Sequence, residues 1–168
     1  MKRQSDPPVK ARHPTAPSVD SCPDPGLDQH LSEARSRLAR LQPQEALVAV
    51  QQGALVVDIR PEFQRSRDGE IPMAVIVERN HLEWRLHPAS SGRIAEAVDV
   101  NLQWIVICDE GYASSLAAAS LQMTGLQRAT DVVGGFQAWC AAGLPVARPR
   151  WPTTPRLPPI ASGDTPLA

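Results

Sequence analysis

The sequence predicts an α/β fold, a small parallel sheet flanked by helices. Three observations carry the prediction. Ala54-Leu55-Val56-Val57, Ala74-Val75-Ile76-Val77 and Trp104-Ile105-Val106-Ile107 are short, continuous apolar runs, as expected of strands buried on both faces. Segments with helical spacing alternate with them, which is the order of a parallel sheet. Cys108 then closes the third run, and a turn leads from it into an alanine-rich segment. In parallel sheets, reactive groups lie beyond the carboxyl ends of the strands.

The elements follow in order. Asp28 caps a first helix through Leu41, with Leu31, Ala34, Leu38 and Leu41 at helical spacing. This stretch, 28–40, is a helix packed on the domain or a linker. Pro43 suits the first turn of a helix over 44–52, which Gly53 stops. The strand ending at Asp58 comes next, then a short helix opened by Pro61 and a turn at Asp68-Gly69. After the second strand, His81 to Leu86 forms a single helical turn. Ser90-Ser91-Gly92 is a loop, and Ile94, Ala97 and Val98 suggest a further short helix. The Cys108 strand is followed by a helix from Ala113 to Thr124, stopped at Gly125. A strand over Ala129–Val133 breaks at Gly134-Gly135, and a last helix from Phe136 to Ala142 ends at Gly143.

The 168 residues suffice for one ordinary domain. Of the 17 prolines, six lie in residues 1–27 and seven in 145–168, so both ends read as disordered tails, 1–27 and 148–168. The net charge of −1 conceals a division. Residues 41–147 carry seven Lys/Arg against twelve Asp/Glu, while each end is +2. An acidic domain with mildly basic ends has no footprint for nucleic acid. No apolar stretch approaches the length of a membrane span, and no leader pattern follows Met1. Three cysteines at irregular spacing make neither a disulfide framework nor a zinc site, which points to a reducing cytoplasm. His81 and His87, six apart, have the wrong spacing for one helical face, so no metal site is expected.

Cys108 is the candidate nucleophile. A strand-end sulfur before a helix start faces unpaired backbone N–H groups, and both these donors and the helix dipole favour an anion. The reactive form of cysteine is the thiolate. Asp109, Glu110, Gly111, Tyr112, Ala113 and Ser114 form the loop around it. Asp58 and Arg60, at another strand end, read as an ion pair that braces the loops. Trp104 reads as core, Trp84 as a wall of the pocket, and Tyr112 as a fence beside the sulfur or a partly exposed ring. Cys140 reads as packing, and Cys22 as an exposed thiol in the tail.

Four motifs in order resemble a rhodanese-like domain over residues 41–147. Val57-Asp58-Ile59-Arg60 is similar to the family's strand-end Asp-x-Arg. Gly69-Glu70-Ile71-Pro72-Met73-Ala74 resembles its Gly-His-Ile-Pro-Gly-Ala turn. Cys108 to Ser114 matches the active-site loop, and Gly134-Gly135-Phe136-Gln137-Ala138-Trp139 with Gly143-Leu144-Pro145 matches its close. The resemblance implies a sulfurtransferase: Cys108 takes sulfane sulfur from a small donor as a persulfide and passes it to a thiol or cyanide. The donor or acceptor is small or protein-bound. Three departures stand out. Glu70 and Met73 replace the usual histidine and glycine, Ala113 stands where many members have arginine, and Asp109 and Glu110 put two carboxylates on the loop.

Two other functions compete. A cysteine phosphatase needs a guanidinium over the phosphoryl oxygens, and no Lys or Arg occurs between Cys108 and Arg128. A regulatory module that keeps the fold without turnover fits the acidic loop, which repels thiosulfate and disfavours the thiolate.

Overall fold

The computed structural model of the protein describes residues 25–148. The tails read over 1–27 and 148–168 fall almost wholly outside them, and Cys22 falls outside as well. Helix α1 (Pro25–Ser36) opens on a proline, which a first helical turn tolerates. It buries Leu31 and Ala34 and packs on α5 (Ala113–Met123).

The helix placed over Asp28–Leu41 thus begins earlier and ends earlier. Ser36 turns its hydroxyl onto the Glu33 carbonyl at 2.8 Å, and the chain straightens. Leu38 still reaches the core, whereas Leu41 joins the sheet edge. The Leu41 amide donates to the Asp131 carbonyl at 3.0 Å, and the Val133 amide donates to Leu41 at 2.9 Å. The last two apolar positions of the pattern are therefore filled from non-helical backbone.

Helix α2 (Pro43–Gln51) follows, with the Gln42 amide donating to the Glu45 carboxylate at 2.7 Å. Next come β1 (Leu55–Asp58), α3 (Glu62–Asp68), β2 (Val75–Ile76), a 3-10 turn (Arg79–His81) and α4 (Leu82–Leu86). Then β3 (Trp104–Ile107) leads to α5, β4 (Thr130–Asp131) and α6 (Gly135–Ala141). The region around Ile94–Val98 forms turns, not a helix. Five residues are too few to nucleate a helix that does not bury one continuous face.

The four strands lie in the order β2-β1-β3-β4, and all pair in parallel. Val57 sits opposite Val75 on one side and Val106 on the other. Strand side chains alternate between two layers of core. Val57, Trp104, Val106 and Cys108 pack with Leu82, Leu86, Ala117 and Leu121 on one face. Val56, Ile105 and Ile107 pack with Ala46, Phe136 and Trp139 on the other. After α6 the chain returns across the molecule. The Trp139 indole donates to the Pro145 carbonyl at 3.1 Å, and Ala147 forms an antiparallel bridge with Glu70.

Candidate active site

Cys108 leaves β3 at its carboxyl end and is 7% exposed. Its sulfur accepts hydrogen bonds from the Gly111 amide at 3.2 Å and the Ser114 amide at 3.3 Å. The Ser114 hydroxyl stands 3.2 Å from the same sulfur. The tight loop depends on its backing. Gly111 has φ 79°, and a Cβ there would lie 2.9 Å from the Gly134 nitrogen. Gly135 is closer still, because its Cβ would meet the Cys108 carbonyl at 2.5 Å. Contact this close lets the α6 amides of Phe136 and Gln137 hold the Cys108 and Asp109 carbonyls at 2.8 and 3.0 Å.

Behind the loop lies a buried polar chain. Asp131, in β4, accepts from the Ser114 hydroxyl at 3.2 Å and the Ser115 hydroxyl at 2.7 Å. Arg40 grips the same carboxylate at 2.7 and 3.0 Å. Arg35, from α1, donates to the Gly111 carbonyl at 2.8 Å and to Ser115 at 3.2 Å, and its guanidinium stands 5.3 Å from the Tyr112 ring. The loop thus has cations after all, but they come from residues before α2 and approach from the rear.

This chain can follow a change of charge on sulfur. With a thiol, S–H donates to Ser114, whose single hydroxyl proton points to Asp131. With a thiolate, that proton turns to sulfur, while Asp131 keeps Ser115 and Arg40. No group is left without a partner in either state.

In front of the sulfur is a cleft of ≈500 Å³. Ile59, Arg60 and Pro61 line it beside Asp109, Glu110, Tyr112 and Ala113, and Arg79 lines it from the turn after β2. Tyr112 is exposed at the entrance. Asp109 is half-buried, and its Oδ1 accepts from Gln137 at 3.0 Å, whereas Glu110 is exposed. Arg79 holds both oxygens of Glu83 at 3.0 and 3.2 Å. Burial works against the Glu83 anion, but hydrogen bonds from Ser120 and its own backbone, together with Arg79, hold the carboxyl below its ordinary value.

Asp58 and Arg60 form a buried pair at 2.7 Å, and Arg60 also donates to the Gly69 carbonyl at 2.9 Å while stacking on Phe136. The pair therefore ties the strand end to the Gly69 turn. Trp84 does not wall this cleft. It is 65% exposed and lines a separate cleft with His87 and Ser90. Cys140 is exposed rather than packed, since Phe136 and Trp139 fill the inner face of α6. Partial burial of its sulfur, only partly offset by Arg60, raises its pKa and leaves it a poor nucleophile. Among the described residues no helix is long and apolar enough to cross a membrane, and no cluster of three His, Cys, Asp or Glu side chains is placed to hold a metal.

Comparison with known proteins adds a lineage to this geometry. The family model for the rhodanese-like domain matches residues 42–142. Thiosulfate sulfurtransferase GlpE of Haemophilus influenzae is 29% identical over 104 residues, covering 62% of this chain and 90% of its own length. GlpE of Pseudomonas entomophila is 32% identical over 104 residues, 62% of this chain and 86% of its own. A Rhodopseudomonas palustris structure, described as a protein of unknown function and possible tyrosine phosphatase, is 31% identical with a TM-score of 0.66, covering 73% of this chain and 94% of its own. The polysulfide-sulfur transferase of Wolinella succinogenes shares the fold at 21% identity and a TM-score of 0.58, over 74% and 88% of the two chains.

Proposed function

The chain belongs to the rhodanese-like domain family, and from that premise we propose that it is a sulfurtransferase working through a persulfide on Cys108. The Cys108 thiolate attacks the outer sulfur of a sulfane donor. A new S–S bond forms, the donor's own bond breaks, and the leaving group departs with the electron pair. A thiol or cyanide then removes the outer sulfur and restores the thiolate. Neither step calls for a metal or an organic cofactor. The names of the relatives support the transferase class, and an exposed free Cys140 suits the reducing cytoplasm proposed as its compartment.

One observation carries the reading: two backbone amides and one hydroxyl converge on Sγ at 3.2–3.3 Å. Such donors stabilise charge on the sulfur without moving, in the manner of an oxyanion hole. Asp109, Glu110, Tyr112 and Ala113 form the rim of the substrate site, Gly111 and Ser114 hold the sulfur behind it, and Asp58 with Arg60 braces it. A phosphatase reading lacks its central part. Arg35 and Arg40 are spent on Gly111, Ser115 and Asp131 behind the loop, and Arg79, which lines the cleft from the turn after β2, is tied to Glu83, so the loop itself supplies no guanidinium to a phosphoryl group.

Intact mass spectrometry after incubation with several sulfane donors tests the proposal. A gain of one sulfur atom on Cys108, reversed by a thiol acceptor, is expected. A protein that never gains sulfur is instead a regulatory module that keeps the fold.

A further inference from the structure

The Cys108 cleft bears charges of opposite sign on facing walls. Its floor is the segment Ile59–Pro61, after β1. The Cys108 loop follows β3 on one side of that floor, and Arg79 follows β2 on the other. Neighbouring strands lie about 4.8 Å apart, so the two walls are separated by about 10 Å at the backbone.

Each wall has free bonding capacity. Among the described residues only Nη1 of Arg79 is engaged, by Glu83, which leaves Nε and Nη2 to donate; its side chain is 41% exposed. Glu83 is itself fixed by the Ser120 hydroxyl at 2.6 Å, so the cation is held in place. Opposite it, Glu110 has no hydrogen-bond partner among the described residues, and Asp109 has given only Oδ1 to Gln137. A small dianion such as thiosulfate meets two carboxylates here and leaves much of the ≈500 Å³ unfilled.

We propose that this cleft is built for a zwitterionic α-amino-acid hydropersulfide, with its carboxylate on Arg79 and its ammonium on Glu110 beside Asp109. The inference rests on the sulfur-transfer reading and names the donor class. In the step, the Cys108 thiolate bonds to the terminal sulfur of R–S–SH. The donor S–S bond breaks, and the inner sulfur leaves with the electron pair and takes a proton from water. The products are the Cys108 persulfide and the free amino-acid thiol, with no net oxidation.

The test uses the full chain and follows Cys108 persulfidation by intact mass. Cysteine hydropersulfide is compared with the hydropersulfides of 3-mercaptopropionate, which lacks the ammonium, and cysteamine, which lacks the carboxylate. The complete zwitterion should load Cys108 with a kcat/KM about fivefold above either truncated donor. Arg79→Gln should erase the advantage over cysteamine, and Glu110→Gln the advantage over 3-mercaptopropionate. If all three donors load equally well, or if both variants leave the ratios unchanged, the zwitterion site is wrong while sulfur transfer stands. If no donor loads Cys108, both readings fall.

Discussion

Behind the Cys108 loop, Asp131 is wholly buried and meets Arg40, Ser114 and Ser115 at 2.7–3.2 Å; in front of it, Glu110 is exposed and has no hydrogen-bond partner among the described residues. The two sides carry similar charges and hold them differently. At the back, the Asp131 carboxylate has Arg40 as its counter-charge, and removing that partner leaves it uncompensated in a dry interior. At the front, water screens the charges, and each can change alone. In the proposed transfer, the chemistry of the sulfur would belong to the rigid side, and discrimination among donors to the wet side.

The largest expected effect is at the sulfur between them. Cys108→Ser should abolish transfer, because a hydroxyl cannot replace the thiolate without a general base, and the Asp131 carboxylate is already held by Arg40. Cys140→Ser should retain nearly full transfer in a persulfide-release assay. Comparable loss in both variants, with the fold intact, would point to a two-cysteine mechanism instead.

Next in size is stability at the rear. Arg40→Ala should lower the unfolding free energy by about 3 kcal/mol or more, since it strands a buried carboxylate. Glu110→Ala should change it by less than about 0.5 kcal/mol. Urea melts of both variants sharpen the contrast, and equal losses would break it.

Ser114→Ala separates the two roles of the rear wall. Asp131 keeps Arg40 and Ser115, so the fold should hold, while sulfur transfer should slow about tenfold for the loss of one hydroxyl donor. Ser114→Thr should restore most of the rate. An unaltered rate in the alanine variant would mean that the hydroxyl serves only Asp131.

The smallest effect concerns thiosulfate. Asp109→Asn with Glu110→Gln should raise its kcat/KM about fivefold at low salt, chiefly through KM. Added salt should narrow the gap between the variant and the parent protein. A vigorous parent reaction, indifferent to both changes, would show that these carboxylates do not govern donor entry.

How much of this was legible in the sequence depended on range. Cys108, its loop and the Gly134-Gly135 backing are local patterns, so strand, turn and helix signals suffice to place them. Arg35 and Arg40 bond to groups 71–91 positions away, and nothing in their own neighbourhood announces a partner. A faint signal did exist in Asp131, an acid between Thr130 and Val132 in a strand too apolar to leave it unpaired. It showed that a cation was needed but not which one. Arg79 was hidden because adjacency of β2 to β1 comes only with the strand order. Cys140 looked inward because α6 is short and apolar, yet Phe136 and Trp139 already occupy its inner face.

The Arg40–Asp131 bond, joining residues 91 apart in sequence, also sets a timetable for the molecule. Closing so long a loop is entropically slow and gains nothing until β4 has found β3. During refolding, the sheet, α5 and a protected Trp104 should appear first, and a reactive, correctly held sulfur only afterwards. Thiol reactivity thus becomes a clock for the last step of folding: native alkylation kinetics at Cys108 should lag behind the burial of Trp104 fluorescence, and Arg40→Lys should lengthen the lag.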